Sequence, residues 1–471
     1  MIPPIEYLKS LSEPCGNTVK RTGQHGKKLF FALLALTMSG CASYGKIENV
    51  NIAEQTNTAE YSIRAFNSTD NDSDLSLILT FSGGGTRAAA MAYGVMQELR
   101  DTQIRINGQP KRMLDEVDSI SSVSGGSFTS AYYGLHGDGI FDTFEDDFLR
   151  FDMNKHLMYR LMNPVLWFSS KGRTEMAIEY YQKKVFHDAT FADMLKPDRP
   201  LIVINASDLA YGIRFSFIQE YFNLLCSDLA SFPVARAVAA SSAVPVMFNP
   251  VVVKNFSDCN YSDASWLQEV SEASKDNQEL AQLAYGLETY ADKEQRKYIH
   301  FVDGGITDNT GLRALYDVMT VSGGAEPYLK KFQRKVPRQV VVISVNASTD
   351  PVFDMDESNK QPSMIESMNA VTGVQLHRYN TASIALVDDG LHRWAKELSS
   401  PDETVTPYFI QVSFKDIKTP ELKHFLNKIP TSFTLSDEQV DSLIKSGREL
   451  LREHPVFQQL LSDLDQAGKQ Q

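Results

Sequence analysis

Cysteine is scarce in this chain, four among 471 residues, and none of them lies in a Cys-x-x-Cys or His-x-x-x-His spacing that would suggest a metal. No basic block offsets the net charge of −13, which argues against nucleic acid as a partner. The chain also lacks any apolar run of about eighteen residues or more, so no single helix is expected to span a membrane. No internal repeat is found. The length therefore reads as one large domain with decorations, or two smaller ones.

What is present begins with a leader. Lys27-Lys28, the apolar run Leu29 to Met38, and then Ser39-Gly40-Cys41 form a basic region, a short hydrophobic region and a small-residue cleavage point. The segment resembles a bacterial lipoprotein signal. That resemblance implies cleavage before Cys41, lipid on its thiol, and attachment to the periplasmic side of a cell-envelope membrane, with the outer membrane expected. Met38 stands where leucine is usual, and the long leader before Lys27 points to a later start codon. A plain cleaved signal and a buried apolar helix are the alternatives. On this reading residues 1–40 are the signal peptide and 41–74, rich in Asn, Thr, Ser and acidic residues, are a tether and irregular lead-in. Cys226 and Cys259 remain in the body. They are a candidate disulfide in an oxidising compartment, or two independent buried thiols.

The body opens with Leu75-Ser-Leu-Ile-Leu-Thr-Phe81, suited to a buried strand, and runs into Ser82-Gly83-Gly84-Gly85-Thr86-Arg87 and a helical stretch from Ala88 to Leu99. Backbone N–H groups and the positive end of a helix dipole converge at such a loop. It could cradle phosphate, form an oxyanion hole, or be a turn without a ligand. The phosphate reading lacks the Gly-Lys-Ser/Thr ending and the Gly-x-Gly-x-x-Gly spacing that would support it. A second strand, Asp118-Ser-Ile-Ser-Ser-Val123, delivers Ser124 to a sharp corner before Gly125-Gly126 and a helical run from Ser127 to Leu135. Small residues on both sides are what a strained strand-to-helix elbow needs, although Ser122 replaces the first glycine of the Gly-x-Ser-x-Gly pattern. Further on, a strand-like run from Lys297 to Val302 ends in Asp303-Gly304-Gly305. There the glycines are expected to turn the chain sharply and leave a carboxylate at the strand tip. A capping aspartate in a turn has the same sequence. Asp308 is a reserve carboxylate. A histidine base would have to come from His377 or His392, since His300 and Asp303 fall on opposite strand faces.

In this order, Gly83 to Arg87, Ser122 to Gly126 and Asp303 to Gly305 resemble the patatin-like phospholipases, with Ala239-Ala-Ser-Ser-Ala-Val-Pro-Val-Met-Phe-Asn-Pro250 similar to a further family segment. The resemblance covers about Leu75 to Leu312. It implies an α/β fold, a three-layer sheet with helices on both faces, over residues 75–396, followed by a C-terminal strand and helix extension, 397–471, packed on the body. It also implies a serine acyl hydrolase of phospholipase A or lysophospholipase type. Ser124 would be the nucleophile and Asp303 its base, with Gly83, Gly84 and Gly85 supplying an oxyanion hole that Arg87 orients. No cofactor or metal is implied. The expected partners are a phospholipid or other acyl lipid and, through Cys41, a membrane surface; no protein partner is indicated. The competing class is a non-catalytic lipoprotein that keeps the fold and binds a lipid or a protein.

Elsewhere, Phe141 to Phe168 is dense in Phe, Met, Leu and Trp, which suits an acyl cleft or ordinary core. Strands are expected at 201–207, 213–219 and 338–345, and an edge strand at 408–414. A charged helical insertion is expected between Trp266 and Arg296, and a helix from Pro362 to Val387. Ser436-Asp-Glu-Gln439 reads as a capping box before a final amphipathic helix.

Overall fold

Apolar, β-branched runs make the central sheet. In the computed structural model, which describes residues 44–54, 60–67, 74–106, 108–152, 172–245, 247–257, 259, 265–350 and 359–470, eight strands pair into one mixed sheet. They are β1 Leu75–Phe81, β2 Val117–Val123, β3 Leu201–Asp208, β4 Ile213–Ser216, β5 Val251–Lys254, β6 Tyr298–Val302, β7 Gln339–Asn346 and β8 Thr406–Ser413. Five are parallel in the order β8-β7-β1-β2-β3. The pair β6-β5 joins β3 antiparallel, and β4 joins its other edge.

Parallel strands are covered on both faces, which is why these sequences are apolar without strict alternation. Leu77, Leu79, Val341, Ile343 and Val345 enter one core; Ile78, Val340 and Val342, the intervening residues, meet a second. The first core is closed by α1 Thr86–Asp101, α2 Gly125–His136 and α3 Val234–Ser241. The second is closed by α4 Leu312–Val321 and α5 Met364–Leu398. This is the expected three-layer arrangement.

Within the last 75 residues, β8 pairs along its whole length with β7, and α6 Asp437–Arg452 lies on α1. A methyl group on Gly94 would sit 2.1 Å from the Ile444 carbonyl oxygen, and one on Gly447 2.4 Å from that of Met91. Two glycines thus bring the two helix backbones into contact. The capping box at Ser436 and Gln439 starts α6. The helix expected to end at Val387 continues to Leu398, because Leu391, Trp394 and Ala395 keep finding core.

Several expected features take definite form. From Gly45 the lead-in lies against the body: Asn49 donates to Ser227 and to the Lys254 carbonyl, Val50 and Asn51 pair with Asp228 and Ser227, and Glu48 meets the buried Arg236. Glu175 holds the same guanidinium through two bonds of 3.0 and 2.8 Å. Cys226 and Cys259 are joined in a disulfide, Cα to Cα 5.5 Å. The insertion forms helices Ser265–Ala273 and Gln278–Glu288, burying Leu280, Leu283 and Leu287. In the aromatic-rich stretch Phe144, Phe148 and Leu149 are core, Phe148 stacking on Phe128 at 4.1 Å. The remainder of that stretch from residue 153, the leader and Cys41 lie outside the described residues.

Candidate active site

Strand pairing brings the site together. On one edge of β3, Val123 at the end of β2 faces Asn205, and Val302 at the end of β6 faces Ser207. Because β2 is parallel and β6 antiparallel to β3, their chain ends run toward each other. The next residue of each strand is the candidate, Ser124 and Asp303.

Ser124 has φ 50° and ψ −119°, a conformation that costs an L-residue on the order of 1–3 kcal/mol. Its neighbours over-determine it. The Ser124 N–H donates to Ser241 Oγ at 2.8 Å, and that hydroxyl donates to the Asn205 carbonyl at 2.6 Å. At Gly125 an added methyl group would lie 2.0 Å from the Gly85 carbonyl oxygen; at Gly126 it would lie 2.7 Å from Phe81 Cβ. Ser122, the departure from the motif, is fully buried, and its oxygen accepts from Ser130 Oγ at 2.6 Å. A second small hydroxyl residue on α2 thus provides room and a partner where glycine would need neither.

The Ser124 hydroxyl donates to Asp303 Oδ2 at 2.7 Å, and the Gly305 N–H donates to Oδ1 at 2.7 Å. The Asp303 N–H and the Gly304 N–H reach the carbonyls of Ala243 and Ser241, each at 3.0 Å. Ser241 therefore holds both partners, its side chain the serine and its carbonyl the turn beside the aspartate. Burial pushes the Asp303 carboxyl up to about 6, against the pull of the two hydrogen bonds. The turn differs from the sharp one expected. Gly304 is helical, φ −64° and ψ −21°, and its lack of a side chain serves proximity, since a methyl group would sit 2.3 Å from the Asn205 carbonyl oxygen.

The loop after β1 lies against the same serine. Gly84 and Gly85 have φ of 142° and 61°, open to glycine and costly for other residues. The Gly83 N–H is already bonded to the Asn309 carbonyl at 2.9 Å. The expectation that Gly83 donates with the other two is therefore corrected, while the N–H groups of Gly84 and Gly85 have no acceptor among the described residues. Arg87 points away, its guanidinium bonding the Ala347 and Ile429 carbonyls and Thr431, and burial lowers its pKa to about 10. It fastens the loop to the end of β7 and to the C-terminal segment. The N-termini of α1 and α2 converge beside the Ser124 hydroxyl, where partial positive charge favours an anion.

The other candidates lie apart from the pair. Asp308 accepts from Thr310 and from the Arg313 N–H at 2.8 Å, capping α4. His300 is exposed on β6, and His377 and His392 lie on α5. Among the described residues no histidine bonds Ser124 or Asp303. Ser241, Asn309 and Ser432, whose carbonyl accepts the Thr86 N–H, have positioning roles that sequence reasoning missed. Only Ser241 had a signal, its place in the Ala-Ala-Ser-Ser-Ala block.

A family model described as patatin-like phospholipase matches residues 79–316. The chain belongs to the patatin-like phospholipase family. The matched span runs from β1 to α4 and contains the glycine loop, the elbow and the Asp303 turn. Among solved structures, human GIVD cytosolic phospholipase A2 is similar at 11% identity with a TM-score of 0.41, covering 84% of this chain and 63% of that one. Its complex with methyl gamma-linolenyl fluorophosphonate is similar at 14% identity with a TM-score of 0.36, covering 84% of this chain. This patatin-like chain thus spans 59% to 63% of those chains. No curated protein matches the sequence. A cavity of about 630 Å³ lies at the other end of the sheet, lined by residues such as Leu75, Asp118, Leu201 and Trp394. Neither Ser124 nor Asp303 lines it.

Proposed function

We propose that the protein is a serine acyl hydrolase that cleaves acyl esters of phospholipids or related lipids with a Ser124–Asp303 dyad. The observation that carries this reading is the 2.7 Å hydrogen bond from a strained, buried elbow serine to a carboxylate whose pKa is raised to about 6. Ionised Asp303 accepts the hydroxyl proton as Ser124 Oγ attacks the ester carbonyl. The N–H groups of Gly84 and Gly85, with the two helix N-termini, stabilise the oxyanion, each well-placed donor contributing on the order of 3 kcal/mol. The tetrahedral centre collapses, Asp303 gives the hydroxyl proton to the departing alcohol, and the acyl chain stays on Ser124. Water then gives a proton to Asp303 and attacks the acyl-serine, and as the Ser124 Oγ–acyl bond breaks Asp303 returns the proton to Ser124 and the fatty acid is released.

The lipid substrate is inferred from family membership, and the Cys226–Cys259 disulfide suits an exported protein. With Cys41 lipidated, the enzyme is held at the periplasmic side of a bacterial envelope membrane. A fluorophosphonate probe tests the dyad. Wild type labels, Ser124→Ala does not, and Asp303→Asn loses at least about a thousand-fold in labelling rate. Equal labelling of folded Ser124→Ala overturns the proposal.

A further inference from the structure

Helix α5 is long for the body it serves. Its 35 residues extend about 52 Å at 1.5 Å per residue, roughly twice the length of an eight-residue strand such as β7. The C-terminal half is anchored: Val387, Leu391 and Trp394 fill the second core, and Glu397 accepts the N–H groups of Ala325 and Glu326. At Asn380 the helix reaches the active site, because Asn380 and Asn309 both donate to Ser348 Oγ, at 3.1 and 3.3 Å, and Asn309 in turn holds Gly83. The residues before it, 364–379, run on past that level for about 24 Å. Gly373 in this stretch has open space where a side chain would be.

Four of the eleven large apolar side chains that stand exposed among the described residues lie on this stretch, and two more, Ile306 and Met247, lie close in sequence to groups that hold Asp303. Met364, Val371, Val374 and Tyr379 lie on the projecting half of α5, with Met364 86% exposed. Ile306 and Met247 follow, by three and four residues, Asp303 and the Ala243 whose carbonyl receives the Asp303 N–H. The Ile306 N–H is bonded to the Asp303 carbonyl. Met364, Val371, Val374 and Tyr379 share one face of the projecting half by helical spacing, with Arg378 at its body end, and the exposed Glu366 lies on the opposite face. An apolar stripe backed by a polar one is the pattern of a helix that lies in the headgroup region of a bilayer. No described helix is long and apolar enough to cross a membrane.

We propose that residues 364–379 of α5, together with Met247 and Ile306, form a docking surface for a lipid bilayer that sets the dyad at the membrane. This rests on the hydrolase reading for its choice of partner. The test uses the full chain with Cys41→Ser, so that no lipid anchor contributes, and vesicles of phosphatidylethanolamine and phosphatidylglycerol. Met364→Asp with Val371→Asp should lower vesicle co-sedimentation, and hydrolysis of vesicle phospholipid, on the order of ten-fold or more. Turnover of a monomeric short-chain ester should stay within about two-fold. Val374→Asp with Tyr379→Ser gives an independent pair on the same stretch. Unchanged vesicle binding by both pairs overturns the proposal. So does an equal loss on the monomeric ester, which places the effect in the site, and so does a wild-type dimer that both pairs break while vesicle binding persists, which makes a second copy the partner. If wild type docks on vesicles but hydrolyses neither substrate, the hydrolase reading fails and the docking surface stands.

Discussion

Two glycine turns meet at Ser124, and they use glycine for different reasons. In the loop after β1, Gly84 and Gly85 are there for backbone conformation, with φ of 142° and 61°. In the turn after β6, Gly304 has an ordinary helical φ of −64° and is there for space, a methyl group being unable to fit 2.3 Å from the Asn205 carbonyl oxygen. On the proposed mechanism the first turn would present N–H groups to a substrate oxygen; the second lets a strand end press close enough for its carboxylate to reach a serine on another strand. Substitution should separate them.

The largest effect is expected at the loop. Gly84→Ala forces a side chain into a conformation that L-residues avoid and re-aims its N–H, so kcat/KM should fall on the order of a thousand-fold, with the acyl-accepting serine still in place. Steady-state hydrolysis of a monomeric ester measures it, and activity within a few-fold of wild type would remove Gly84 from the oxyanion hole. At the turn, Gly304→Ala should cost about 1–3 kcal/mol of stability through overpacking. It should also lower activity by roughly a hundred-fold as Asp303 is displaced, since small misplacements of reacting groups cost that much. Denaturant melts paired with the same assay separate the two losses, and an unchanged melt would mean that the space argument is wrong.

The mildest effect is in pH. Asp303 must be ionised to accept a proton, so kcat/KM should rise through about pH 6 and be lower by about ten-fold at pH 5. For stability the sign is opposite. A carboxyl whose folded pKa is raised favours the fold when protonated, and this contribution is complete below its unfolded value and lost as pH rises through about 6. Asp303→Asn should therefore gain roughly 1–3 kcal/mol over wild type at pH 8 and nothing at low pH, read from chemical melts at both. A pH-independent difference would argue against burial as the cause.

The elements were legible where local pattern suffices. The runs at 75–81, 201–207 and 338–345 are strands because buried parallel strands need continuous apolar residues. The capping box at Ser436 names a helix start by itself. The candidate residues were legible as a set because their motifs are short and glycine-rich. Their division of labour was hidden. Gly83 looks like its two neighbours in sequence, yet its N–H is occupied by Asn309. Arg87 looks like a loop cation, yet its partners are carbonyls at 347 and 429. The long reach of α5 past Val387 depends on Leu391 and Trp394 finding a core that strands and helices distant in sequence create.

What the sequence determined alone is the local chemistry: a serine among residues small enough for an elbow, three glycines before a helix, and an acid followed by two glycines. Each is dictated within a few residues, by side-chain volume and permitted φ. Only the tertiary structure decided that β2 and β6 meet end to end along β3, because strand register is set by pairing between distant segments. That register brings Ser124 and Asp303 to 2.7 Å and buries the carboxylate enough to raise its pKa, while the N–H groups of Gly84 and Gly85 have no acceptor among the described residues.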